Sequence, residues 1–344
     1  MSNVSSQGGA AAQHHNFDAA PVVGFSGRGL PTNAWWLIIV SALLLAPWAL
    51  PEQWLHALSA VLVLGLFALS FALLLGYAGL KVMGHAAFMA LGAYTAGIIA
   101  LRVDAAVWIT LPAAALVAGL VGLAFGTLAL RTAGLQFMMI SLAFGGLIES
   151  LIDQFPAITG GHDGLSGIPA PRLVFWPGGV DLLQASPHGL YYLIAAVTAL
   201  IYFAARALTT SPLGVLVVGI RDNPRRVLAL GMPVRQYQIA WFAIGCAIAG
   251  LAGALHVYLY SFVATSLAGV FHSVQGLIMV IIGGKASLLG AFFGAGVLFT
   301  VTDHLSNLTE RWNTVLGLLF IGFILLDTKG GLGNLAARWL WRRS

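Results

Sequence analysis

Long apolar runs alternate with short polar connections along this chain, and about ten of the runs approach the roughly 20 residues that a helix needs to cross the hydrocarbon of a bilayer. The pattern predicts spans at 34–50, 55–76, 83–101, 106–130, 135–155, 190–208, 237–260, 263–282, 288–308 and 312–327, with ends uncertain by a few residues. Helices are expected because hydrocarbon offers backbone N–H and C=O groups no outside partner. The fold class is therefore all-α, a polytopic membrane protein of about ten transmembrane helices. The pair of runs on either side of Gly283-Gly284 leaves room for half-helices.

Orientation follows from Lys and Arg near the span ends, which resist translocation. The 209–236 connection and its flanks carry Arg206, Arg221, Arg225, Arg226 and Arg235, and the C-terminal tail carries Lys329, Arg338, Arg342 and Arg343. Both are expected on the cytoplasmic side, and an even span count puts the N-terminus there too. The 156–189 connection, with Arg172 against Asp163 and Asp181, then falls outside. The domain reading is a polar, disordered cytoplasmic tail over 1–33, a permease domain over 34–328, and a tail over 329–344 lying on the inner membrane surface. Trp35, Trp36 and Trp312 open spans where amphipathic rings favour the headgroup level.

Composition agrees with a lipid solvent: 59% of residues are hydrophobic and 8% charged, against roughly a quarter charged in soluble domains. Cys246 has no partner for a disulfide, and the nine histidines are scattered, so neither a thiolate cluster nor a metal site is expected. The formal net charge of +5 lies mostly in short connections, which argues against nucleic acid. No G-x-x-x-x-G-K-[ST] loop is present, so the chain is not expected to cradle ATP itself.

The most informative connection runs from Ser211 to Arg235. Asn223 is a good N-cap, Pro224 suits the first helical position, and Gly231 followed by Pro233 makes a stop, which predicts a compact helix over 224–230. Its apolar Val227, Leu228 and Leu230 need a partner surface, and Arg225 and Arg226 flank them. Two roles fit: a rigid contact with a soluble protein, or a solvated basic loop that only sets topology.

This connection, continuing into Gln238-Ile-Ala-Trp-Phe-Ala-Ile-Gly-Cys-Ala-Ile-Ala-Gly-Leu-Ala-Gly-Ala-Leu255, resembles the conserved loop of permeases in the branched-chain amino-acid family of ABC importers. Three further stretches resemble blocks of that family: Gly84-His-Ala-Ala-Phe-Met-Ala-Leu-Gly-Ala-Tyr-Thr95, Thr159-Gly-Gly-His-Asp-Gly-Leu-Ser-Gly-Ile-Pro169 and Ile282-Gly-Gly-Lys-Ala-Ser-Leu-Leu-Gly290. The similarity extends over 60–335. It implies a bacterial inner-membrane permease subunit that pairs with a homologous second permease, docks two ATP-binding subunits that bind and hydrolyse ATP-Mg, and accepts solute from an external binding protein. The chain would bind no cofactor and would not be an enzyme. Branched-chain amino acids lead as substrate, with urea, short amides and organic acids as alternatives.

Carried over by position, the resemblance puts Gly219, Arg221, Asp222, Asn223, Arg225 and Arg226 at the ATPase contact, and Gly161, His162 and Asp163 at the receptor contact. The chain departs from the family pattern at Pro224, Lys81, Val82, Ala286 and Ala291. Pathway candidates are Gly84, His85, Phe88, Ser141 and Phe144, with helix packing as the competing role for the glycines and for Ser141 and Phe144. Glu149 and Asp153, four apart near the outer end of a span, suggest a polar vestibule. An ion-coupled carrier or channel would need charged or broken-helix sites near the midplane, and the spans hold few such groups. A membrane enzyme would need a convergent catalytic set, and none is apparent.

Overall fold

A computed structural model describes residues 47, 51–173, 188–284, 287–308 and 317–318. The expected tails at 1–33 and 329–344, the first span except Pro47, the last except Gly317 and Leu318, part of the 156–189 connection, and Lys285-Ala286 lie outside the described residues.

The described chain is mostly helical. Helix α1 (Glu52–Phe71) continues into a π-helical turn, Ala72–Tyr77. Then come α2 (Ala86–Arg102), α3 (Val107–Ala129), α4 (Leu135–Gln154) and the short α5 (Pro156–Thr159). Strand β1 (Leu165–Ser166) is followed by α6 (Gly189–Thr210), α7 (Pro212–Asp222), α8 (Pro224–Ala229) and α9 (Val234–Tyr260). Strand β2 (Phe262–Val263), α10 (Val270–Gly283) and α11 (Leu288–Leu308) complete it.

Six of these helical stretches are long and apolar enough to cross a membrane: Glu52–Tyr77, Val107–Ala129, Leu135–Gln154, Gly189–Thr210, Val234–Tyr260 and Leu288–Leu305. Two shorter apolar helices, α2 and α10, accompany them. Helix α10 has 14 residues, about 21 Å at the usual helical rise and less than a hydrocarbon core. The expected span at 263–282 is thus corrected. Its first residues form β2, which pairs antiparallel with β1 (Leu165 with Val263), and a 3₁₀ turn at Thr265–Ala268. Val263 and Leu267 are buried against protein, so their apolar character does not mark lipid contact. Helix α9 begins at Val234, three residues before the hydropathy boundary, because Arg235 and Gln236 extend the helix without extending the apolar run.

Helices α1 and α9 form the interior, with 78% and 72% of their apolar windows buried, against 28–33% for the other four long helices. Helix α9 packs on α1, α2 and α3 at close range. A Cβ at Gly92 would strike the Gly250 backbone, and one at Gly253 would strike the Met89 carbonyl, so α2 and α9 approach backbone to backbone. On the opposite side of α3, Leu116, Leu120 and Leu123 are exposed at helical spacing, the surface a lipid-facing helix presents.

Candidate functional site

The chain reverses at one end of the bundle between the π-helical turn and α2, and this reversal gathers all five pathway candidates. Gly84 lies so close to α4 that a Cβ would collide with the Ser141 carbonyl oxygen. Ser141 Oγ accepts from the Met83 N–H at 3.0 Å, and Ser273 Oγ, from α10, accepts from the Ala86 N–H at 3.0 Å. Two serines on distant helices therefore satisfy backbone donors at and just before the start of α2, which its own turn cannot.

His85 is fully buried among Phe67, Phe71 and Phe88, with ring centroids 5.9, 4.6 and 5.7 Å away. Its Nε2 lies 2.9 Å from Ser70 Oγ, whose single proton goes to the Phe67 carbonyl at 2.6 Å. With the Ser70 proton on the Phe67 carbonyl, a neutral ring donates through Nε2–H and leaves Nδ1 as an acceptor. That Nδ1 is buried and has no hydrogen-bond partner among the described residues. Phe88 stacks on Phe144 at 5.3 Å, and Phe125 and Phe242 extend the aromatic group. Phe144 is half-buried, whereas Gly84, His85, Phe88 and Ser141 are buried within this chain. Ser70 and Ser273 were not singled out from the sequence, although Ser70 is a lone hydroxyl in the apolar run 60–76, which was a readable signal.

The same end of the bundle carries the basic connection, folded as the tight pair α7 and α8. Ser211 Oγ accepts from the Gly214 N–H at 3.3 Å, and Asn223 Oδ1 from the Arg226 N–H at 3.2 Å, so each helix has a side-chain cap. Ile220, Val227 and Val234 bury one another, with Leu216 and Tyr237 against them, and Gly219 faces the Val227 side chain. The chain leaves α8 through Gly231 at φ +79°, a left-handed turn that glycine adopts without cost. Arg221, Asp222, Arg225, Arg226, Leu228 and Leu230 are exposed, Leu230 at 79%. Arg235 donates to the Thr127 carbonyl of α3, and a groove lined by Leu228, Pro233, Val234 and Ile239 opens beside it.

At the other end, Gly161, His162 and Asp163 form a single 3₁₀ turn. Thr265 Oγ1 donates to the Gly161 carbonyl at 2.9 Å and holds the turn, while the His162 side chain is 94% exposed with Nδ1 3.7 Å from Asp153. This turn and β1 give the 156–173 part of the connection a defined shape.

Comparison with known proteins gives a consistent result. The family model for the branched-chain amino acid transport system / permease component matches residues 54–326. The high-affinity branched-chain amino acid transport system permease protein LivM of Escherichia coli (strain K12) is 26% identical over 314 residues, covering 86% of this chain and 74% of that one. Its counterpart from Salmonella typhimurium (strain LT2) is 26% identical over 286 residues, 77% of this chain and 66% of that one. A probable branched-chain amino acid transport permease protein LivM of Methanocaldococcus jannaschii is 28% identical over 104 residues, 30% of each chain. No solved structure matches the chain.

Proposed function

The chain belongs to the branched-chain amino acid transport system permease family, and from that premise we propose that it is the membrane-spanning permease subunit of an ATP-binding-cassette importer for branched-chain amino acids. It is a multi-pass membrane protein, and in this reading it sits in the bacterial inner membrane with about ten spans and both termini in the cytoplasm. It pairs with a homologous permease subunit, receives solute from an external binding protein at the Gly161–Asp163 turn, and binds no cofactor. ATP-Mg is bound and hydrolysed by two partner subunits.

The observation that carries the reading is the pair α7 and α8: capped, locked by Ile220, Val227 and Val234, and presenting Arg225, Arg226, Leu228 and Leu230 outward. An exposed apolar set beside arginines on a rigid connection suits docking of a soluble subunit. Closure of that subunit would displace α7, which adjoins both α6 and α9 and so reaches the pathway wall. In this reading Gly84, His85, Phe88, Ser141 and Phe144 lie at the part of the pathway that opens when the bundle rearranges.

The test is uptake by the complete complex in proteoliposomes. Labelled leucine, isoleucine or valine should accumulate only with ATP, the ATP-binding subunits and the external receptor present. Accumulation by this chain alone without ATP would favour a carrier or channel instead, and preferential uptake of urea, short amides or organic acids would reassign the substrate.

A further inference from the structure

The basic connection holds an arginine that faces the membrane bundle, and its contacts separate it from its neighbours. The last carbonyls of a helix have no partner within it. In the wide turn that ends α1, the Leu73 carbonyl receives Ala78 N–H at 3.2 Å and the Trp241 indole N–H at 2.9 Å, and the Leu74 carbonyl receives Leu80 N–H at 2.9 Å. The Gly76 carbonyl receives Nη1 of Arg221. The rest of that guanidinium is fixed by Asp222, whose Oδ1 lies 3.0 Å from Nε and 2.9 Å from Nη2. One face of the fork is thus tied within α7 and the remaining nitrogen to α1.

The route between them is shaped for this side chain. Gly79 has φ +69°, and a Cβ there would lie 2.6 Å from Arg221 Cγ, so only glycine allows both the turn and the passage of the arginine. A second tie runs parallel, from the Tyr77 side chain to Thr209 at the end of α6. Ile220, next to Arg221, is buried against Val227 of α8, so displacement of α8 carries Arg221 with it. Two turns back along α1, Ser70 holds His85. A π-helical turn is a local widening of the kind often found at functional sites, and here its end is held from outside the helix.

We propose that Arg221 is a positioning residue that latches the docking pair α7–α8 to the π-helical end of α1, so that movement of the docked subunits is passed to the Ser70–His85 centre. This rests on the permease reading above, and it takes Arg221, which is exposed but bonded to α1, from the expected ATPase contact to a positioning role, while Arg225 and Arg226 serve the partner surface. Loss of the latch uncouples the two ends without loosening the dock.

The experiment uses the complete complex in proteoliposomes and measures three quantities: retention of the ATP-binding subunits, ATP hydrolysis, and solute moved per ATP. Arg221→Ala should retain the subunits and hydrolysis while solute moved per ATP falls about tenfold, the usual size of a coupling effect. Arg221→Lys, which can still donate to Gly76, should recover part of the ratio. Gly79→Ala, which displaces the arginine without removing it, should reproduce the fall. A ratio within about twofold of wild type in Arg221→Ala overturns the proposal. So does loss of the ATP-binding subunits in Arg221→Ala with normal coupling in Gly79→Ala, which would make Arg221 a docking contact. Should Arg221→Ala fail to insert, the ratio in Gly79→Ala and Arg221→Lys decides. A wild-type complex that hydrolyses ATP without moving solute overturns the permease reading itself, before any variant is compared.

Discussion

At the scale of single residues, stability rests on how α2 is pinned. Gly253 sits against the Met89 carbonyl, so Gly253→Val must push α9 off α2; overpacking of this kind costs about 1–3 kcal/mol. Gly296 is its control, since a Cβ there meets only Val61 Cγ1 at 3.6 Å. In detergent, Gly253→Val should unfold at a clearly lower temperature and Gly296→Ala should match wild type; equal midpoints would contradict the close approach. Ser70→Ala tests the histidine. It leaves Nε2 of His85 buried without its partner, a loss of about 1–3 kcal/mol, and should lower the midpoint although only one oxygen is removed. This pairing is not legible in the sequence, because Ser70 lies on α1 and His85 just before α2, and the two meet only through the chain reversal at 78–85.

At the scale of elements, the pair α7 and α8 is the part most legible in advance. Asn223, Pro224, Gly231 and Pro233 act within a few residues of one another, so cap, start and stop are local facts, and the helix observed at Pro224–Ala229 differs from the expected one by a single residue. The long helices were legible for a related reason, since an apolar run fixes a span to within a few residues. What stayed hidden depends on tertiary contact. The π-helical turn is held by Trp241 and Arg221 from distant positions, and β1 with β2 joins residues about a hundred apart in the chain. Hydropathy also could not separate Val263 and Leu267, buried in protein, from residues facing lipid. Asn223→Ala should cost about 1 kcal/mol of a six-residue helix that cannot sustain itself, and so weaken retention of the ATP-binding subunits. Leu230→Asp adds charge at an exposed position outside the buried cluster. It should release those subunits with no change in the thermal midpoint, and unchanged retention would remove Leu230 from the partner surface.

At the scale of the whole molecule, the arrangement of ends is the property on which the functional reading depends. Arg206, Arg221, Arg225, Arg226 and Arg235 gather with Asp222 at the end that holds α7 and α8, while Asp104, Asp153 and Asp163 lie with Arg102 and Arg172 at the end that holds the Gly161–Asp163 turn. An importer requires the first end to face the ATP-binding subunits and the second to face the receptor. The chain's single cysteine makes this directly measurable, because Cys246 is fully buried where α9 crosses α3 beside Gly122 and should be inert to a water-soluble maleimide. His162→Cys and Leu230→Cys would then each supply one reactive thiol, since the native side chains are 94% and 79% exposed. In intact cells, with the outer membrane made permeable, the thiol at position 162 should label at once and the thiol at position 230 only after the inner membrane is opened. Labelling of position 230 from outside would reverse the orientation, and a docking surface facing away from ATP could not drive uptake. Labelling of both from one side would contradict the proposed topology, in which α6, the span-length helix described between the turn and the α7–α8 pair, crosses the membrane once.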